Sequence, residues 1–258
     1  MTIDGLLLDI DGVLAVSWEP LPGAVKTIRR FREEGPPFRL VTNTTTKTRA
    51  DLGATLRDAG FDFADEEIIT AVVATAGYLR AAHPGQRAFV LSDGDAKADL
   101  GDIELVDVEQ ADVIVLGGAY EGFAYPVMNE IFRRLMDGAV LVGMHRNMYW
   151  KTDQGWELDA GAYIAGLEEA SGVTATICGK PEPAYFDAAL RLLGTTSDRT
   201  AMVGDDVVND VLGAQSVGLT GVLVRTGKYR AGDEERNETG PDHVVGSIAD
   251  VPDLVASV

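Results

Sequence analysis

Four short stretches carry residues whose types could do chemistry together. Leu6-Leu7-Leu8 runs into Asp9-Ile10-Asp11-Gly12, so two carboxylates separated by one residue leave an apolar segment. Phe38-Arg39-Leu40-Val41 ends in Thr42-Asn43, a hydroxyl beside an amide. Gly179-Lys180-Pro181 follows an apolar run that closes on Cys178, and Ala201-Met202-Val203 ends in Gly204-Asp205-Asp206, with Asn209 and Asp210 about one helical turn further on. Gathering the carboxylates of the first and last stretches in one crevice is costly unless a divalent cation sits among them or one carboxylate is protonated. Ligands that are all oxygen favour Mg²⁺. An EF-hand loop is excluded, because Val13 stands where the next oxygen ligand is required.

Blander readings exist for each residue. The DxDG pattern also marks turns, and Ser92-Asp93-Gly94-Asp95 is read as such a loop. Asp9-Ile10-Asp11-Gly12 differs in directly following a strongly apolar strand, which would direct both carboxylates to one side of a sheet. A lone lysine is usually a solvated surface group, but Lys180 sits just past a strand, between a glycine and a proline.

The elements that must position these groups are short apolar runs alternating with helical patterns, the signature of a parallel sheet covered by helices. Doubly wound α/β is the expected class. Strands are expected at Leu6–Leu8, Phe38–Val41 and Ile68–Ala71, and again at Ala201–Val203 and Val222–Val224. A helix from Pro22 to Glu34 places Val25, Ile28 and Phe31 on one face, with Pro22 near its first position and Gly35 past its end. In open α/β sheets ligands bind beyond the carboxyl ends of the strands, which is where Asp9, Thr42, Lys180 and Asp205 stand. Between about Pro84 and Gly172 the alternation repeats with its own strands at Ala88–Leu91, Val113–Leu116 and Val140–Val142, so residues 84–172 are read as an inserted α/β domain and residues 1–83 and 173–258 as a discontinuous core.

Composition narrows the function. Hydrophobic residues make up 46% and charged residues 24% of the 258, ordinary for a folded protein in water, whereas 22 Lys and Arg against 41 Asp and Glu give a net charge of −19. Non-specific nucleic-acid binding needs an electropositive footprint and is not expected. An anionic ligand would need local positive charge from a cation, a lysine or arginine, or backbone N–H groups. A single cysteine excludes an intrachain disulfide and a CxxC site. No basic leader and no apolar run near 18 residues are present, so the expectation is a cytoplasmic protein without a membrane partner.

The four stretches together resemble motifs I to IV of the haloacid dehalogenase superfamily of phosphotransferases and phosphatases, and the resemblance covers essentially the whole chain. An insertion of roughly 90 residues between the second and third motifs resembles the C2-type cap of subfamily IIA, the NagD-like group. Thr42-Asn43-Thr44-Thr45 and Val224-Arg225-Thr226-Gly227-Lys228-Tyr229-Arg230 look most like the branch holding the phospholysine, phosphohistidine and inorganic pyrophosphate phosphatase. The resemblance implies a Mg²⁺-dependent phosphatase for small phosphate compounds, with Asp9 as nucleophile, Asp11 as general acid and base, and Lys180 offsetting charge in the transition state. It implies metal ligation by Asp9, the Asp11 backbone carbonyl and Asp205, with Asp210 acting through a water. Thr42 and Asn43 would bind the phosphoryl group through the hydroxyl and backbone N–H groups. Asp206 either lies beside the phosphate, with Asn209, or begins the following helix.

In the insertion, Arg146, Asn147 and Lys151 suit contact with an anionic substrate, while His145 and Cys178 read as structural. Val127, Ile131 and Leu135 make an apolar helix face, read either as a homodimer surface of the cap or as packing on the cap's own sheet. The rival functions are a catalytically silent binding or regulatory protein on the same scaffold and a phosphotransferase or mutase. Dehalogenation has no need of an acid such as Asp11, and the P-loop and dinucleotide-binding signatures are missing from the sequence.

Overall fold

The computed structural model describes residues 2–152, 155–235 and 239–257. The chain begins with β1 (Gly5–Asp9), a small hairpin of β2 (Ala15–Val16) and β3 (Glu19–Pro20), then α1 (Ala24–Glu34), β4 (Phe38–Thr42) and α2 (Arg49–Asp58). It continues through β5 (Ile68–Thr70), α3 (Ala71–Ala82), β6 (Ala88–Leu91), β7 (Val113–Leu116), α4 (Tyr125–Met136) and β8 (Val140–Gly143). A hairpin of β9 (Tyr149–Thr152) and β10 (Gly155–Leu158), α5 (Ala160–Ser171), β11 (Thr176–Ile177) and α6 (Pro183–Leu193) follow. The last elements are β12 (Thr200–Gly204), a π-helical segment (Val207–Leu212), α7 (Gly213–Gln215), β13 (Thr220–Val224), β14 (His243–Val245) and α8 (Val251–Ser257).

Two compact units result. The first comprises Met1–Thr42, Arg49–Ile69 and Lys180–Val258, the second Asn43–Thr48 and Thr70–Gly179. In the first, six strands take the order β14-β13-β12-β1-β4-β5, and β1 pairs in parallel with both β12 and β4. Leu6, Leu7 and Leu8 are fully buried at its centre, each contributing about 2 kcal/mol by leaving water. The α1 helix buries Ile28 and Phe31 against this core, as the spacing predicts, with Val25 only partly buried and Ala24 buried in its place, and it starts from Gly23 in a left-handed conformation (φ 84°), so Pro22 precedes the cap instead of opening the helix.

The second unit is built on a four-stranded parallel sheet of order β11-β8-β7-β6. Its limits differ from the expected 84–172. Helix α3 packs Ala71, Val72, Ala76 and Leu79 into the same cluster as Val90, Val113, Val115 and Val142, and β11 pairs with β8, so residues 70–83 and 173–179 fold with the insertion. Small apolar residues on α3 fit either sheet, which is why sequence pattern alone misplaces this boundary. Ile131 and Leu135 are buried on this unit's own sheet side, and Ser92–Asp95 is a loop, with Gly94 in a left-handed conformation. No helix among the described residues is long and apolar enough to cross a membrane.

Candidate active site

Strand register in the first unit lines up the chemical groups. Leu8 pairs with both Leu40 and Val203, so Asp9 is level with Val41 and Gly204, and Thr42 and Asp205 emerge one residue beyond it. Asp9, Asp205, Asp210 and Lys180 are all buried, at 5% exposure or less. Carboxylate oxygens of the three aspartates lie within 4.8 Å of one another. The Lys180 ammonium donates to Oδ1 of Asp9 at 2.7 Å and to Oδ1 of Asp210 at 2.6 Å. Burial works against its charge, but Asp210 and Asp9 outweigh burial and hold its pKa above the ordinary lysine value.

Three buried carboxylates outnumber the Lys180 ammonium and the Lys228 charge that also acts on them, in a place from which water is largely excluded. The cost falls on Asp205, whose pKa is pushed up to about 7, first by burial and then by Asp9. Asp210 is raised in the same direction by burial and Asp9, with Lys180 opposing. Asp205 accepts the Lys228 backbone N–H on Oδ2 at 2.6 Å, while its Oδ1 is buried without a hydrogen-bond partner. An orphaned carboxylate oxygen beside two more carboxylates, all hard donors, fits a bound divalent cation.

Two glycines make this approach possible. Gly12 (φ 85°) and Gly227 (φ 61°) flank Asp205, and a Cβ on either would lie 2.5 Å and 2.9 Å, respectively, from the Asp205 carboxyl carbon. The Thr226 hydroxyl donates to the Gly12 carbonyl at 2.5 Å, fastening the two loops together.

The other expected residues are placed differently. The β1 strand ends at Asp9, and the chain then folds tightly, with the N–H groups of Leu14 and Ala15 on the Ile10 carbonyl; Asp11 is therefore off the strand and exposed, not a second buried carboxylate on the same sheet face. Asp206 opens the helical segment, accepting from the N–H groups of Val208 and Asn209 and from the Asn209 side-chain amide at 2.8 Å. Both residues are thus spent on the helix start, the second of the two readings of Asp206, and the hydrogen bonds from Asn209 keep the Asp206 carboxyl below its ordinary pKa despite burial.

Asp210 Oδ2 accepts from the Asp206 N–H at 3.2 Å, which turns its Oδ1 to Lys180. Thr42 is buried at the end of β4, and its N–H donates to the Tyr185 hydroxyl at 2.9 Å.

Asn43 and Arg146 belong to the second unit. Arg146 donates to Glu168 at 2.6 Å, and that carboxylate also accepts the Ala175 N–H, so Arg146 is tied to α5. The Lys151 side chain lies outside the described residues. His145 and Cys178 are buried, matching their structural readings.

Comparison with known proteins identifies this arrangement. A haloacid dehalogenase-like hydrolase model matches residues 6–105 and a HAD-hydrolase-like model residues 177–251. The human haloacid dehalogenase-like hydrolase domain-containing protein 2 is 38% identical over 239 residues, 93% of this chain and 90% of that protein. The chain belongs to the haloacid dehalogenase-like hydrolases.

Within that family it is a NagD-like phosphatase of subfamily IIA. The mouse phospholysine phosphohistidine inorganic pyrophosphate phosphatase is 35% identical over 259 residues, 98% of this chain and 94% of that protein. Among solved structures, p-nitrophenyl phosphatase from Archaeoglobus fulgidus superposes with a TM-score of 0.91 at 26% identity, covering 100% of both chains. NagD from E. coli K-12 does so at 0.88 and 28%, covering 97% of this chain and 98% of that one.

Sequence reasoning named Asp9, Lys180, Asp205 and Asp210 but missed three contributors: Gly227, Lys228 and Tyr185. Gly227 and Lys228 stand in the stretch that carried the branch resemblance, and a glycine before a lysine past a strand end was the available signal. Tyr185 gave none, because a tyrosine in an apolar helix pattern reads as core.

Proposed function

We propose that this hydrolase is a Mg²⁺-dependent phosphatase of small phosphate monoesters that works through an aspartyl phosphate on Asp9. The observation that carries the reading is the buried Lys180 bridge between Asp9 and Asp210, with the orphaned Asp205 oxygen in the same cluster. Phosphatases of this family generally use Mg²⁺, and Asp9, Asp205 and Asp210, with the Asp11 carbonyl, are the groups that would hold it. When bound, the ion would supply positive charge for the phosphoryl oxygens and offset the carboxylate charge of the cluster.

The chain's own residues account for the rest. An Asp9 carboxylate oxygen attacks phosphorus, and the bond from phosphorus to the leaving oxygen breaks while Asp11, acting as general acid, gives that oxygen its proton. A water then attacks phosphorus, Asp11 takes the water's proton, and the bond to Asp9 breaks, returning both side chains to their starting states. Exposure of Asp11 suits this role, since it must exchange protons with leaving group and water in turn. Lys180, held by Asp9, offsets charge as it develops on the phosphoryl oxygens, and the Thr42 hydroxyl donates to one of them.

A leaving group bearing a second phosphate, as in pyrophosphate, or a phosphorylated amino acid fits the same chemistry, in keeping with the name of the mouse relative. The test is hydrolysis of nitrophenyl phosphate with and without Mg²⁺, in the parent and in Asp9→Asn. Turnover that needs Mg²⁺ and falls by about 10⁴-fold or more in the variant is expected, as for loss of a covalent nucleophile. Full activity in the variant would remove Asp9 from its role.

A further inference from the structure

Tyr185 stands on α6, five residues after Lys180, and is fully buried. Its hydroxyl meets the ends of two neighbouring strands. It accepts the N–H of Thr42 at 2.9 Å and lies 2.7 Å from the carbonyl of Ile69, with the Thr42 carbonyl at 3.2 Å. A hydroxyl has one proton to give, and the shorter contact assigns it to Ile69. The ring itself needs only apolar surroundings and packs edge-on against Phe186, with centroids 5.8 Å apart. Phenylalanine would fill the same space, so the hydroxyl serves something other than packing.

What it holds is the peptide of Thr42. That peptide sits at the carboxyl end of β4, one residue beyond the level of Asp9. We propose that Tyr185 is a positioning residue of the phosphatase: by tying the Thr42 peptide to the end of β5, its hydroxyl aims the Thr42 side chain at the phosphoryl group carried by Asp9. The inference rests on the phosphatase reading and adds to it a residue that never touches substrate.

A double-mutant cycle tests it. Tyr185→Phe, Thr42→Val and the double variant are assayed in the full chain for kcat and KM on nitrophenyl phosphate with Mg²⁺, and for inhibition by inorganic phosphate. A misaimed hydroxyl weakens phosphoryl binding, so Tyr185→Phe is expected to lower kcat/KM by about 10-fold, mainly through KM, and to weaken phosphate inhibition alike. In the Thr42→Val background the same change should cost under about 2-fold, because the group being aimed is gone. Independent, multiplying losses would overturn the proposal, as would Tyr185→Phe within about 2-fold of the parent.

Amide hydrogen exchange of Thr42 in the parent gives a readout that no variant's folding can obscure. Slow exchange is expected, and exchange as fast as in an open loop would also overturn the proposal. A parent that fails to hydrolyse nitrophenyl phosphate counts against the phosphatase reading, whereas fast Thr42 exchange counts against this inference alone.

Discussion

The two units each carry a parallel sheet, and the carboxyl ends of those sheets have opposite characters. At the second sheet's end several polar groups bond within the fold. The Ser92 hydroxyl donates to the Thr45 carbonyl at 3.0 Å, the Gly118 N–H donates to the Thr45 hydroxyl at 3.1 Å, and Met144 and Cys178 are buried apolar residues. At the first sheet's end, Asp9, Asp205 and Asp210 face one another, with Lys180 bridging two of them and Lys228 adding its charge to the cluster. One architecture thus carries two edges, and the difference lies in burial: the first gathers three buried carboxylates that a cation and a phosphoryl group can use, whereas at the second the half-buried Asp159 spends Oδ1 on the Ala160 N–H. Architecture alone would not have told them apart.

The strongest way to break this contrast is to remove the ammonium at the first edge. In Lys180→Met, Asp9 and Asp210 lose their shared partner inside the fold, and breaking a buried ion pair from one side costs about 3–5 kcal/mol. Urea denaturation without Mg²⁺ should show that loss, and nitrophenyl phosphate turnover should fall by about 10³-fold, since the same group offsets transition-state charge. By contrast, an exposed pair of the first unit such as Arg30 and Asp253, at 3.0 Å, should yield under about 1 kcal/mol on truncation. If Lys180→Met were as mild as that, the buried cluster would not carry the charge assigned to it.

How much of this contrast was readable beforehand follows from what each feature depends on. Asp9, Thr42 and Asp205 were legible because each ends an apolar run, and the run predicts both the strand and the edge. Lys180 was legible by position, though its bridge to Asp9, 171 residues away, appears only when the sheet is assembled. Asp11 was misread because the period-2 rule was carried past the strand's last residue into a tight loop. The links from Arg146 to Glu168 and from Tyr185 to Thr42 join elements whose mutual packing no local pattern encodes, so the ion pair that holds Arg146 is not legible in the sequence, and the tyrosine reads as core. Helix α3, rich in alanine, could face either sheet, and only its contacts assign it.

A second prediction sharpens the contrast by titration. Asp205 has a folded-state pKa of about 7 against an ordinary 3.8. A raised carboxyl pKa means the folded state binds the proton more tightly, so its stabilising contribution is present at low pH and is lost as pH rises through about 7. At pH 8 without metal the ionised Asp205 costs at most about 4 kcal/mol, at 1.36 kcal/mol per pKa unit. Asp205→Asn cannot ionise but still accepts from Lys228, so its stability advantage over the parent should grow from pH 5 to pH 8. Saturating Mg²⁺ should shrink that advantage, because an ion at 100 times its Kd adds about 2.7 kcal/mol to the protein that can bind it. Thermal melts of both proteins at three pH values, with and without Mg²⁺, decide the matter; a difference that ignores both pH and metal would show the site to gather no such charge.

The smallest expected effect lies at the other edge, at His145, just past β8. Its imidazole is buried and its pKa is lowered, first by burial, with Asp159 at 3.7 Å pulling the other way. Its Nδ1 accepts from the Asn147 N–H at 3.3 Å, an arrangement that needs the neutral ring. A depressed pKa on a base means the unfolded chain takes up the proton first, so the contribution of His145 is present above its ordinary value of 6.5 and is lost as pH falls below it. His145→Asn, which does not titrate, should therefore be less stable than the parent by a margin that narrows from pH 8 to pH 5, the opposite trend to Asp205→Asn. Because no ion is called for at this edge, Mg²⁺ should leave that margin unchanged. Parallel pH trends for the two variants, or a Mg²⁺ effect at His145, would mean that the two sheet edges do not differ in the way their charges indicate.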